Sequence, residues 1–289
     1  MVDGYNAEHV NKRTEFTLLS ESESNYVCSK LIKPMREHFG CSYHSAIDRL
    51  KSMSMLVADS ATPACEITLR NTPDGEIVAA SLLQWRREAL LMDTLERAEE
   101  IAHEAIHGIR VSLHKREEVQ PDKSVETVYH MFQGLNYRKL GHNGKAFYII
   151  EELGCGAEEA KTDLDTTAIV EKMFGVKKPP PHPSAMYIPV WDSMRQLTQD
   201  PLVKRILASA ELRPMQSNLW RNGRSLLKAF DAAYDASASV TLNYVYKGLS
   251  VPSSVRDELR YKISEVPKEC QAFILAERQR AGKQAGQGR

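Results

Sequence analysis

The clearest amphipathic stretch of the chain begins near residue 95. Leu95, Ala98, Ala102, Ala105, Ile106 and Ile109 form one apolar stripe at helical spacing, with Glu96, Glu99, Glu100, His103, His107, Arg110 and His114 to the side of it. Asp93-Thr94-Leu95-Glu96 offers an N-cap with a carboxylate three residues on. The pattern predicts a helix on which two histidines, one turn apart, border the buried face. Helical spacing also marks residues 26–39, where Pro34 predicts a kink or break near Lys33, and residues 43–57. Period-two alternation appears over 65–70 and resumes over 76–80, around the turn residues Asn71-Thr72-Pro73-Asp74-Gly75. This is the best hairpin signal in the chain.

Further on, residues 115–123 read as a charged loop, 125–140 as helical in part, 140–144 as a turn, and 145–152 fit strand or helix equally. Gly154-Cys155-Gly156 breaks the pattern. Ala157 then opens a helix to about Phe174, with Gly175 as its C-cap, and Pro179-Pro180-Pro181-His182-Pro183 excludes more helix. Helices are expected over 191–198, 201–211, 219–237, and 253–263 leading into 268–279. The expected fold is α+β and predominantly helical. A flexible lead-in (1–24) precedes one domain (25–280), followed by a disordered tail (281–289). Within the domain, N-terminal helices (25–60) precede a catalytic core (62–175) and a helical C-terminal part (184–280).

Composition narrows the function classes. The 289 residues are 42% hydrophobic and 26% charged, an ordinary soluble balance. With 38 basic and 38 acidic residues, nothing favours a sequence-independent grip on nucleic acid or on an anionic membrane. Cys28, Cys41, Cys65, Cys155 and Cys270 are scattered and make no C-x-x-C pair, which argues against a disulfide framework or a thiolate metal site. No apolar run is long enough to span a bilayer, and the opening residues lack a basic region followed by an apolar one. The expected location is therefore the cytoplasm, or the outside of the cell by a route that uses no classical signal peptide.

The chemistry sits in His103-Glu104-Ala105-Ile106-His107. On a helix, His103 and His107 share a face and can hold one metal ion. Glu104, about 100° round, can reach a water on that ion without being a ligand. A catalytic zinc normally takes three protein ligands and a water. Downstream carboxylates are available at Glu151, Glu152, Glu158, Glu159, Asp163 and Asp165. Glu159 and Asp163 are one turn apart on the second predicted helix. Glu159 can then ligate while Asp163 accepts the second ring N–H of a ligand histidine, which fixes the tautomer. Glu158 and Glu152 stay open as alternative third ligands.

His-Glu-x-x-His followed by Glu-x-x-x-Asp on a later helix resembles the gluzincin metallopeptidases, the thermolysin-like clan, in which the gap between the two motifs varies. The string Glu158-Glu159-Ala160-Lys161-Thr162-Asp163-Leu164 looks most like the second zinc motif of the dipeptidyl peptidase III family. That family has an extra residue between its two histidines, so only the clan is carried over. The resemblance implies a zincin-like core with a small sheet before the active-site helix. It also implies zinc on His103, His107 and Glu159, Glu104 as general base, and Asp163 behind a ligand. The implied partner is a protein or peptide substrate. An oxyanion donor is then required, with Tyr148 and Tyr244 the first choices among Tyr148, His182, Tyr187, Tyr244 and Tyr246. The expected protein is a zinc endopeptidase, with an effector or toxin protease as one form of that reading. The alternatives are a cytosolic regulatory zincin that cleaves one partner, and a helical interaction protein without catalysis.

Overall fold

The computed structural model describes residues 15–59, 63–119, 121, 123–143, 146–177, 188–245 and 247–287. A short strand β1 (Thr17–Leu18) leads into helix α1 (Glu21–Phe39). The Ser20 hydroxyl accepts from the Glu23 backbone N–H, and the Glu23 carboxylate accepts from the Ser20 N–H at 2.8 Å. This capping box turns the polar run over 20–24, expected to be part of a flexible lead-in, into the first turn of a helix. Pro34 lies inside α1 without ending it, and Gly40, at φ +77°, does end it.

Short helical turns over 41–52 include α2 (His44–Asp48), and the chain then enters strand β2 (Ser54–Ala58). The helix expected over 43–57 therefore stops early. Its last apolar residues, Met55 and Val57, are buried at period two in a strand, and a short apolar run does not distinguish the two periods. The predicted hairpin forms as β3 (Ala64–Asn71) and β4 (Ile77–Arg86). This sheet runs β1-β2-β4-β3, with β2 parallel to β4 and the other pairs antiparallel, so β3 is an edge.

Helix α3 (Leu95–Ile109) lies under this sheet. Its cap is Thr94, whose hydroxyl accepts from the Arg97 N–H at 3.3 Å. The stripe Ala98, Ile101, Ala102, Ala105, Ile106, Ile109 is fully buried with Leu83 and Trp85 of β4, Val57 of β2, and Leu31 and Met35 of α1. Each large apolar side chain so buried contributes roughly 1.5–3 kcal/mol relative to exposure. Gly108 permits the close approach: a Cβ there would lie 2.9 Å from Leu83 and 3.0 Å from the Met53 sulfur.

The chain then makes a second, wholly antiparallel sheet of β5 (Val111–Val119), β6 (Val125–Gln133), β7 (Asn136–His142) and β8 (Phe147–Leu153), in that order. Three expectations are corrected here. The amphipathic helix ends at Ile109, and His114 belongs to β5. Most of the supposed charged loop is β5, and one of its charges pairs across the sheet half-buried, Lys139 Nζ donating to Glu118 Oε2 at 2.5 Å. The segment over 125–140 is two strands joined at Gly134, where φ is +59°. Residues 128–132 are all buried, so period-two alternation disappears and the apolar residues mimic a helix.

Helix α4 (Cys155–Phe174) follows as expected, closed by Gly175 at φ +67°. Helices α5 (Ile188–Gln199), α6 (Pro201–Leu212), α7 (Asn218–Asn222), α8 (Arg224–Val240) and α9 (Ser253–Gln287) complete the chain. Gly223 separates α7 from α8 where one helix was expected. α9 continues through Pro267 as far as Gln287, over most of the segment expected to be a disordered tail. α4 joins the two main cores. Its Ile169 and Val170 pack with α1 and α3, whereas Ala157 and Ala160 pack with Leu135, Leu197, Phe230 and Val266. The architecture is mixed α+β, with two four-stranded sheets and a helical C-terminal part. None of its described helices is long and apolar enough to cross a membrane.

Candidate metal centre

α3 and α4 pack antiparallel, and residues from both face one point. His103 Nε2 lies 3.1 Å from His107 Nε2 and 3.3 Å from Glu159 Oε2, and His107 Nε2 lies 3.5 Å from Glu159 Oε1. Four-residue spacing stacks the two imidazoles on one helix face, and α4 brings the carboxylate opposite. These three residues are the one group of potential ligands found among the described residues. A tetrahedral ion with bonds of about 2.0–2.1 Å needs neighbouring ligands about 3.3–3.4 Å apart. The three separations bracket that value, so the donor set fits a zinc-like ion.

Behind the donors stand two more carboxylates. Asp163 Oδ1 is 3.2 Å from His103 Nδ1, and Glu158 Oε1 is 3.3 Å from His107 Nδ1. The second contact is close but is not aligned for a hydrogen bond. Both rings thus direct Nε2 inward with Nδ1 backed by a carboxylate, the usual support of metal-bound histidines. In the metal-free chain, burial opposes charging of these rings, but Asp163 and Glu159 outweigh it and raise His103 to about 10. Glu158 and Glu159 likewise raise His107 to about 9. Burial alone would raise Glu159, yet the two histidines hold it well below the usual carboxylate range.

Glu104 is 9% exposed and makes no hydrogen bond among the described residues. Burial pushes its carboxyl upward, partly offset by His103 and His107. It lines a cavity of about 580 Å³ together with His103, Glu159 and Asp163. No match to this chain was found among protein-family models, curated proteins or solved structures.

The two alternative third ligands lie elsewhere. Glu152, on β8, binds Arg138 at 2.5 Å. Glu158 faces away from the three donors into a buried network, accepting from the Leu135 N–H at 2.7 Å, Thr162 at 3.0 Å and Arg110 at 3.1 Å. Tyr148 sits on the exposed face of β8, its hydroxyl donating to Glu126 at 3.3 Å, and Tyr244 sits in the turn after α8. Neither lines the cavity. His182, Tyr187 and Tyr246 lie outside the described residues. The tyrosine that does line the cavity is Tyr234 of α8, with Trp191 of α5 and Thr166 of α4. Tyr234 falls within the predicted 219–237 helix, but nothing in its local pattern marks it for this cleft.

Arg110 was also missed as a functional element. It caps α3, is 2% exposed, and binds Glu158, Asp165 and Thr162, with Glu211 Oε1 at 3.1 Å. Its partners on α4 lie 48 and 55 positions downstream, so no local pattern announces a buried cation.

Proposed function

We propose that the chain is a zinc-dependent peptidase of gluzincin type, acting on a protein or peptide. The observation that carries this reading is the convergence of His103 Nε2, His107 Nε2 and a Glu159 carboxylate oxygen, with Glu104 beside them in an open cleft. Bound there, zinc would supply Lewis acidity and acidify a coordinated water. Glu104 is the proton carrier: its raised pKa suits a base that accepts a proton from the attacking water and returns it to the leaving amine. Asp163, 3.2 Å from His103 Nδ1, favours the His103 tautomer that leaves Nε2 free to ligate.

The cleft also suits an extended backbone. Pro63, immediately before edge strand β3, lines the cavity, and the Cys65 thiol on β3 is pushed up to about 12, by burial first and then by Glu104. A peptide can add to that edge through main-chain hydrogen bonds. Tyr234 is the tyrosine that lines the cleft among the described residues, and it is the candidate donor to a developing oxyanion.

The test is elemental analysis paired with hydrolysis. Purified wild type should carry one equivalent of zinc and cleave a denatured protein substrate. Glu104→Gln should keep the zinc and lose roughly 10²–10⁴-fold in rate, the range of general base catalysis. Unchanged cleavage by Glu104→Gln, or a wild type that binds no zinc, would refute the reading.

A further inference from the structure

The junction Gly154-Cys155-Gly156, where the sequence pattern breaks, opens the helix that carries Glu159. Its N-cap, Gly154, sits at φ +90° and has no side chain to close the first turn. The cap comes instead from α8, 77 positions downstream. Asp231 Oδ2 accepts from the Gly154 N–H at 2.8 Å, and Oδ1 accepts from the Gly156 N–H at 2.8 Å. One carboxylate thus satisfies two of the amides that a helix start leaves without an intrahelical partner.

The same turn is wedged from two sides. A Cβ on Gly154 would lie 2.0 Å from the Leu135 carbonyl oxygen. One on Gly156 would lie 2.5 Å from the Phe230 carbonyl oxygen and 2.8 Å from the Tyr234 Cβ. Phe230, Asp231 and Tyr234 share one stretch of α8, so the helix that supplies the cap also sets how closely α4 approaches it. Arg224, at the start of α8, binds Glu151 on β8, the strand that leads into the junction.

Glu159 follows Gly156 by three positions, about 4.5 Å along the axis and under one turn. The pose of its carboxylate, 3.3 Å from His103 Nε2 and 3.5 Å from His107 Nε2, therefore depends on where the first turn begins. Glu158 has anchors of its own in Leu135, Thr162 and Arg110, which keep α4 in the core without Asp231. Burial pushes the Asp231 carboxyl above its ordinary range; the two glycine N–H groups oppose this, and Asp235 and Glu152 add to it. A charge held at a net cost suits a group that serves position rather than stability.

We infer that Asp231 is a positioning residue of the metal centre: by capping α4 from α8, it sets the reach of Glu159 to the ion. The inference rests on the metal-binding half of the peptidase reading. It ties the third ligand to α8, the helix whose Tyr234 lines the cleft.

The experiment compares full-length wild type, Asp231→Asn, Asp231→Ala and a control, Asp200→Ala. Asp200 caps α6 in a similar way, accepting from the Leu202 and Val203 N–H groups at 3.0 and 3.1 Å, but α6 carries none of the three donors. Asparagine keeps the shape while turning an NH2 group toward one glycine N–H in place of an acceptor. Zinc affinity is read by competition with a chromophoric chelator, and ligand geometry by the visible absorption of the cobalt(II) form. Melting is followed on chelator-treated protein. Asp231→Asn should weaken zinc binding about tenfold and Asp231→Ala further, within the 10–100-fold range of groups behind a ligand, and both should shift the cobalt bands. Asp200→Ala should lower the melting temperature and leave zinc affinity and the cobalt spectrum unchanged. Wild-type affinity and spectrum in Asp231→Ala overturn the positioning role; if that variant does not fold, the same result in Asp231→Asn does so. A loss of affinity that Asp200→Ala reproduces also overturns it. A wild type that binds neither metal overturns the metal centre and the inference together. The expected losses in the Asp231 variants, with no cleavage by zinc-loaded wild type, support the role of Asp231 and overturn the peptidase reading alone.

Discussion

Replacing Arg110 with methionine probes the joint that holds the two motif helices together. The guanidinium is buried and contacts Glu158, Asp165 and Glu211, so its loss leaves three carboxylates that are each 2–8% exposed with their main counter-charge gone. Partial support remains. Lys161 still reaches Asp165, and its Nζ lies 3.6 Å from Glu211; His38 Nε2 lies 2.7 Å from Asp165; and Tyr43 still donates to Glu211. Methionine fills much of the volume, so the cost is electrostatic. Removing one side of a buried ion cluster typically costs about 3–5 kcal/mol. At about 2 °C per kcal/mol for a chain of this size, the melting temperature should fall by about 6–10 °C. Calorimetry on chelator-treated protein measures this without a contribution from bound metal. The pH dependence gives a second signature. Arg110 and its neighbours hold Asp165 and Glu158 below their ordinary range against the burial that would raise them. The folded chain therefore binds fewer protons than the unfolded one. This stability is present above about pH 4 and is lost as pH falls further. In Arg110→Met both carboxyls rise, and that acid-side slope should flatten. A loss under about 1 kcal/mol with an unchanged slope would mean the cluster behaves as a surface pair, refuting its role as the joint.

Other expectations are independent of that one. Asp163→Asn should weaken zinc binding about 10–100-fold while leaving the fold melting normally, as measured by competition with a chromophoric chelator; unchanged affinity would remove Asp163 from its supporting role. Zinc binding at pH 7 should release at least one proton, because both histidines are raised, to about 10 and about 9, while their Nε2 atoms, 3.1 Å apart, share one hydrogen between them. Unperturbed imidazoles would release only about half a proton between them. Calorimetry in buffers of different ionisation enthalpy counts them, and affinity should rise with pH as those protons leave. For the metal-free protein the sign is opposite: the histidine pairs stabilise fully below about pH 6.5, and that stability fades as pH rises through about 9 to 10. Gly154→Ala should cost several kcal/mol or prevent folding, because φ is +90° and a Cβ would lie 2.0 Å from the Leu135 carbonyl. A variant melting like wild type would show that the entry to α4 can move.

What the sequence determined by itself was local. The apolar stripe on α3, the His-Glu-x-x-His spacing, the hairpin around Asn71–Gly75 and the helix holding Glu159 and Asp163 are all short-range patterns, and periodicity alone places their residues on the right faces. The tertiary structure decided everything that depends on distant partners. Three carboxylates within six positions, Glu158, Glu159 and Asp163, were equivalent as letters. Packing sorted them: Glu159 turns to the two Nε2 atoms, Asp163 supports His103, and Glu158 turns to Arg110. The meander β5–β8 stayed illegible because one end is exposed and charged and the middle is buried on both faces, so neither stretch alternates. The cleft walls, Tyr234, Trp191 and Thr166, come from three helices whose local patterns report only that each packs. Which side chains meet across a groove is fixed by how those helices dock, and docking is a property of the whole chain.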